Sequence, residues 1–191
     1  YGLSDVLTTV KDAEIPVFSY DDLIMNTNAV KYYVTFGGRQ IGQTIAKQII
    51  DSEELDKVQE AGESRTIEFL MGSLDDTQAL FLYNGVMEVL QPYFDAGTLV
   101  CRSGKLSLED TGILRWSTDR AKTRMTDILT DAYQEDSVPD IICTGFDNAA
   151  LGAEEALEES GAVPGTEDWP LISGTGCDAE GVRRIAEGKQ T

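Results

Sequence analysis

Short apolar runs alternate with amphipathic helical stretches along the whole chain, and this alternation restricts the fold more than any other feature. The segments "IPVFSY" (15–20), "YYVTF" (32–36), "RTIEFLMG" (65–72), "TLVCRSG" (98–104), "PDIICTG" (139–145) and "WPLISGTG" (169–176) read as strands. Between them, "LSDVLTTVKDA" (3–13) spaces Leu3, Val6, Leu7 and Val10 as a helix does, and residues 39–51 set Ile41, Ile45, Ala46 and Ile49 on one stripe. A long helix is expected over 75–97, with Asp75 as its N-cap and Gly97 as its stop. Further helices are expected from Thr118, up to Gly161, and over 178–188, while the charged stretch 52–64 reads as a helix extension and surface loop. Strand and helix in strict alternation, joined by short connections, predict an α/β fold: a parallel sheet with helices on both faces.

In such sheets ligands gather at the carboxyl ends of the strands. The segments just past those ends are "SYDDL" (19–23), "FGGRQ" (36–40), "GSLDDTQA" (72–79), "RSGKLS" (102–107), "TGFDNAA" (144–150) and "SGTGCDAE" (173–180), each rich in Gly, Asp or both. Their carboxylates accept hydrogen bonds from hydroxyls, and the following helix N-termini offer backbone N–H donors.

Charge and composition narrow the chemistry. Fifteen Lys and Arg against 34 Asp and Glu give a net charge of -19, which repels phosphate backbones and argues against nucleic acid as a partner. The chain has no histidine, so Ser-His-Asp, Cys-His and His-ligated metal chemistry are excluded. No general base is paired with a nucleophile, and no cofactor or metal is expected. Neither Walker spacing nor a dinucleotide glycine pattern occurs: Gly174, Gly176 and Gly181 miss the required spacing. There is no apolar run of about 18 residues to span a membrane and no leader pattern, and the chain starts at Tyr1 in what reads as mid-protein sequence. Cys101 and Cys143 lie in apolar runs and read as small core residues.

Five stretches in order carry a resemblance: "IPVFSYDDLIMNTNAVKYYVTF", "GSLDDTQALFLYNGVMEVLQP", "GILRWSTDRAKTRMTDILTDAY", "DIICTGFDNAALGAEEAL" and "LISGTGCDAEGVRRIAEGKQ". Together they resemble the type I periplasmic binding proteins that capture sugars for ABC transporters, in the multiple-sugar and xylose-type branch. The resemblance implies an extracytoplasmic, non-catalytic receptor, periplasmic or lipoprotein-anchored, with two α/β lobes around a sugar cleft and a membrane permease as partner. It assigns residues 1–31 to the end of the N-terminal lobe, 32–36 to a hinge strand and 37–191 to a flavodoxin-like C-terminal lobe. The rest of the N-terminal lobe and a final hinge crossing then lie outside this chain, and self-association through the exposed cleft face is a further possibility.

Carried over residue by residue, the resemblance places ligand contacts at Asp22, Phe36, Gly37, Gly38, Thr77, Gln78, Trp116, Phe146, Asp147 and Cys177. Asp147 keeps the family's residue, and Trp116 and Phe146 offer apolar faces to a ring. The other positions depart from the pattern. Asp22 stands where family members carry an Arg that forks onto sugar hydroxyls, and Gly37-Gly38 replaces an Asp-Asn pair. Thr77-Gln78 replaces two Asn, and Cys177 replaces a Gln. These departures imply either a ligand other than the usual sugar, more apolar or cationic, or a redesigned lobe that serves as a scaffold and binds no sugar. From the residues alone, Gly37 and Gly38 also fit a turn that needs positive φ. Trp116 fits a core anchor equally well, and Cys177 either a reactive thiol at a helix start or a small wall residue.

Overall fold

The computed structural model describes residues 2–133 and 137–190. The chain divides into two compact units, Tyr1–Gly37 and Gly38–Thr191. In the first, helix α1 (Ser4–Asp12) precedes two parallel strands, β1 (Val17–Tyr20) and β2 (Val30–Val34), with a register shift between Val17 and Phe18. The Phe18 and Tyr32 rings stack with centroids 4.7 Å apart. The stretch 15–20 is thus a strand, but not the buried one expected: Phe18 and Tyr20 are exposed and only Ser19 is buried. Ser19 Oγ donates to the Asp22 carbonyl at 2.6 Å and accepts from Ile24 N–H at 3.0 Å, which closes the turn after β1.

The second unit opens with α2 (Gly38–Ser52) and α3 (Leu55–Ala61), then β3 (Arg65–Leu70), α4 (Thr77–Asp95) and β4 (Leu99–Val100). The short α5 (Leu108–Thr111) and a 3-10 turn (Leu114–Trp116) lead into α6 (Thr118–Ala132), β5 (Ile141–Thr144), α7 (Asp147–Ser160), β6 (Leu171–Ile172) and α8 (Ala179–Ala186). The four strands form one parallel sheet in the order β4-β3-β5-β6, with Ile67 opposite Ile141 and Ile141 opposite Leu171.

The period-two alternation of the strands divides the core into two layers. Ile67, Phe69, Met71, Ile141 and Cys143 pack with Ile45, Ile49, Leu55, Val86 and Leu90 on one face. Leu70, Ile142 and Ile172 pack with Met125, Ile128, Ala153 and Leu157 on the other. Burial on both faces is why β5 reads as an apolar run; β3 is interrupted by the buried Glu68, whose Oε1 accepts from Tyr133 Oη at 3.0 Å and Ser103 N–H at 3.1 Å. On the first face α2 crosses α4 at glycines: a Cβ on Gly42 would stand 2.1 Å from the Leu82 carbonyl oxygen, and one on Gly85 2.1 Å from that of Arg39.

Several local expectations need correction. Residues 52–64 hold a separate helix, α3, because Glu54 takes a left-handed φ of 47° that breaks α2 and lets Leu55 and Val58 turn into the core. The N-cap of α4 is Asp76, whose Oδ1 accepts the Gln78 N–H at 2.8 Å, and not Asp75. Cys101 lies beyond β4 and is only partly buried, with its Sγ 3.5 Å from Glu68 Oε2; burial pushes its thiol up to about 11. Cys143 is the buried core residue expected, its thiol pushed up to about 12 by burial. Neither Gly37 nor Gly38 has positive φ, so the strained-turn reading of that pair fails.

Candidate functional site

The strand order reverses direction between β3 and β5, whose outgoing helices α4 and α7 lead to opposite edges of the sheet. In folds of this kind ligands bind beyond the carboxyl ends of two such strands. In the second unit the segments that meet there are Gly72–Asp76 after β3, Gly145–Asp147 after β5 and Ser173–Asp178 after β6. A fourth joins them: Met71 bridges Gly112 in parallel, with Met71 N–H donating to the Thr111 carbonyl at 2.8 Å and Ile113 N–H to the Met71 carbonyl at 3.2 Å. This pairing brings the 3-10 turn and Trp116 to the strand ends.

Trp116 lies across Gly72. A Cβ at Gly72 would be 2.1 Å from Trp116 Cη2 and 2.8 Å from the Ala79 methyl, so only glycine leaves room for the indole. The Phe146 ring meets Trp116 edge-on with centroids 4.9 Å apart, the favoured T-shaped arrangement. Phe146 is buried and Trp116 half-buried, while Leu74 and Leu114, close to Gly72 and Trp116 in the chain, are exposed. Trp116 therefore serves partly as the anchor its sequence context allowed, packed on the α6–α7 core, and partly as surface.

Asp147 begins α7 and is enclosed by backbone. Its N–H donates to the Thr175 carbonyl at 2.9 Å, and its Oδ2 accepts the Asp178 N–H at 3.0 Å. Cβ atoms on Gly174 and Gly181 would come within 2.8 Å and 2.7 Å of its carboxylate oxygens. Thr175 Oγ1 adds a bond to the Gly145 carbonyl at 2.9 Å, so the ends of β5 and β6 are tied together. Cys177 is exposed at the tip of this loop, with a left-handed φ of 55°, one residue before Asp178 caps α8.

Gly38 starts α2, and the space its side chain would take is occupied. Gln78 Oε1 would stand 2.7 Å and Phe81 Cβ 3.2 Å from a Cβ there, so α4 fills that volume. Thr77, the first residue of α4, is exposed. In the first unit Asp22 and Phe36 are exposed, and Tyr33 Oη donates to the Asp21 carbonyl at 2.9 Å; Gly37 closes that unit.

Of the ten residues picked out by the resemblance, seven thus lie in the second unit. There Trp116 pairs with Phe146, Gly38 with Gln78, and Asp147 with the loop that carries Cys177. Sequence reasoning missed Gly72 and Ser73. Ser73 is 1 % exposed; its Oγ donates to Asp75 Oδ1 at 2.5 Å and accepts the Arg115 N–H at 2.8 Å. Nothing local in "GSLDD" marks that serine, because its partner lies 42 residues away.

A parallel α/β lobe with aromatic and carboxylate side chains at its switch point has the form of a small-solute-binding lobe. The chain belongs to the periplasmic binding protein family, whose domain matches residues 2–191. It is 36% identical over 188 residues to the multiple sugar-binding periplasmic receptor ChvE of Rhizobium radiobacter, a match covering 98% of this chain and 52% of that protein. It is 33% identical to the multiple sugar-binding periplasmic protein SbpA of Azospirillum brasilense, with the same coverage. A crystal structure of an ABC transporter solute binding protein from Clostridium phytofermentans with bound β-D-glucose superimposes with a TM-score of 0.86 at 34% identity, covering 99% of this chain and 56% of that one. The chain spans about half the length of the curated relatives it matches.

Proposed function

We propose that this chain is part of an extracytoplasmic receptor that binds a monosaccharide or similar polyhydroxylated ring without catalysis and delivers it to the membrane subunits of an ABC transporter. The observation that carries the reading is the Trp116–Phe146 pair at the switch point, with the half-buried Asp147 carboxylate directly after it at the start of α7. An indole face stacks on the apolar face of a sugar ring, and carboxylates accept its hydroxyls. The names of the curated relatives and the glucose-bound neighbour support the ligand class. In this reading 1–31 belong to the N-terminal lobe, 32–36 to the hinge and 37–191 to the C-terminal lobe, and closure of the lobes presents the surface that a permease reads.

The ligand set differs from the family's usual one. Asp22 offers a carboxylate where the family pattern has a cation, and Gly38 yields its place to Gln78 and Phe81 of α4. Cys177 removes an amide. A ligand less hydroxylated than a common pentose or hexose fits these changes, and the volume beside Gly38, already filled by Gln78 and Phe81, offers no room for a larger one. Titration calorimetry of the chain against a panel of pentoses, hexoses, deoxysugars and aromatic quaternary ammonium ions tests the proposal. Saturable heat with a sugar that is lost in Trp116→Ala supports it. Heat with the ammonium ions alone refutes the sugar assignment, and no heat with any compound refutes the receptor role.

A further inference from the structure

We propose that Ser73 is the positioning residue that fixes the stance of Trp116, and through it the affinity of the ligand face. The inference rests on the receptor reading for its functional consequence, but its structural half stands alone. Arg115 and Trp116 both carry left-handed backbones, with φ of 57° and 54°. Side-chain-bearing residues avoid that region, and two in succession persist only where their surroundings hold them. Three contacts do so here. The Arg115 N–H donates to Ser73 Oγ at 2.8 Å, the Trp116 N–H donates to the Ile113 carbonyl at 3.2 Å, and the indole seats itself on Gly72.

Ser73 supplies the side-chain hydrogen bond among these restraints, and its hydroxyl hydrogen is committed as well, because it donates to Asp75 Oδ1 at 2.5 Å. That second bond orients the hydroxyl so that a lone pair faces Arg115. The strand-end serine therefore links the loop after β3, which leads into α4, to the turn that carries the indole. Without it the Arg115 N–H loses its partner, the left-handed pair relaxes, and the ring leaves Gly72 and the edge of Phe146.

The Arg115 side chain is exposed, so its backbone conformation can be changed with little disturbance of the core. Glycine adopts the left-handed region freely. Arg115→Gly should therefore restore in Ser73→Ala what the serine supplied. The test is near-UV circular dichroism of the unliganded chain, read at the tryptophan bands. Four proteins are compared, namely parent, Ser73→Ala, Arg115→Gly and the double variant, each also made in a Trp116→Phe background. The expected result is that Ser73→Ala changes the bands, that the change vanishes in the Trp116→Phe background, and that the double variant returns to the Arg115→Gly spectrum.

Sugar dissociation constants measured on the same proteins should rise at least fivefold in Ser73→Ala and recover in the double variant. Bands unchanged by Ser73→Ala, or a double variant with no recovery, overturn the proposal. If Ser73→Ala does not fold, the double variant decides: a folded protein with the Arg115→Gly spectrum supports the role, and an unfolded one refutes it. A parent that binds no sugar sinks the receptor reading while the spectra still judge Ser73.

Discussion

Replacing Gly42 by alanine sets two effects of opposite sign against each other. Helix propensity favours the change, since alanine in a helix interior is about 1 kcal/mol better than glycine. Packing opposes it. The new methyl would lie 2.1 Å from the Leu82 carbonyl oxygen, 2.9 Å from Val86 N and 3.0 Å from the Leu82 carbonyl carbon. Ordinary contact begins near 3.4 Å, so α2 and α4 would have to part by more than 1 Å at the crossing. All three obstacles are backbone and cannot rotate away, and both helices are held to the sheet by Ile45, Ile49, Val86 and Leu90. Overpacking of this kind costs about 3 kcal/mol at the upper end of the usual range. The net effect is a loss of about 2 kcal/mol, or a fall in Tm of about 4–8 °C for a chain of this size. Gly85→Ala meets the Arg39 carbonyl at the same crossing, so the double variant should lose less than the sum of the singles. Urea and thermal melts of the three variants measure this. A Gly42→Ala protein at or above parental stability would refute the close-crossing argument.

Other expectations follow from single contacts. Asp147→Ala removes the carboxylate that accepts the Asp178 N–H, and should lower stability by about 2 kcal/mol; hydrogen exchange should quicken over 174–178, and unchanged exchange there would contradict the role assigned to it. Glu154 is fully buried and pushed up to about 6, mainly by burial, which outweighs Arg184 and Lys189; Gln190 also bonds it, and Glu158 lies nearby. Its folded value lies above the ordinary 4.5, so the native state holds more protons between those two pH values. Unfolding free energy from this group is then highest below pH 4.5 and falls by about 2 kcal/mol as pH rises through 6. Glu154→Gln should flatten that part of the profile in urea melts, and a parallel profile would contradict it. Gly161 ends α7 with φ of 99°, so Gly161→Ala should cost about 1 kcal/mol although a Cβ there meets nothing within 4 Å.

The architecture was legible because its signals are local and repeated. Ile45, Ala46 and Ile49 declare a helix by spacing, and "DIICTG" a buried strand by its unbroken apolar run. Where a signal depended on one left-handed residue or one distant partner, it was hidden. Glu54 breaks the helix that its own sequence would continue, so the stretch that holds α3 reads as a helix extension and surface loop. Asp75 and Asp76 are equivalent as caps until Ser73 claims the first of them. Gly38 reads either as a ligand position stripped of its side chain or as a turn, because the neighbours that fill its space, Gln78 and Phe81, lie 40 and 43 residues further along. The site followed the same rule: Trp116 and Phe146 stood out by type, while Gly72 and Ser73, which set the indole in place, act only through tertiary contact.

We propose a sugar site at the switch point of the second unit. The most direct measurement is the thermal midpoint of the chain with increasing amounts of individual monosaccharides, with aromatic cations in parallel. The account predicts that at least one monosaccharide raises the midpoint in a concentration-dependent way, reaching about 2.7 kcal/mol of stabilisation at a hundredfold excess over its dissociation constant. A protein that melts cooperatively and shows no shift with any of the sugars would contradict it.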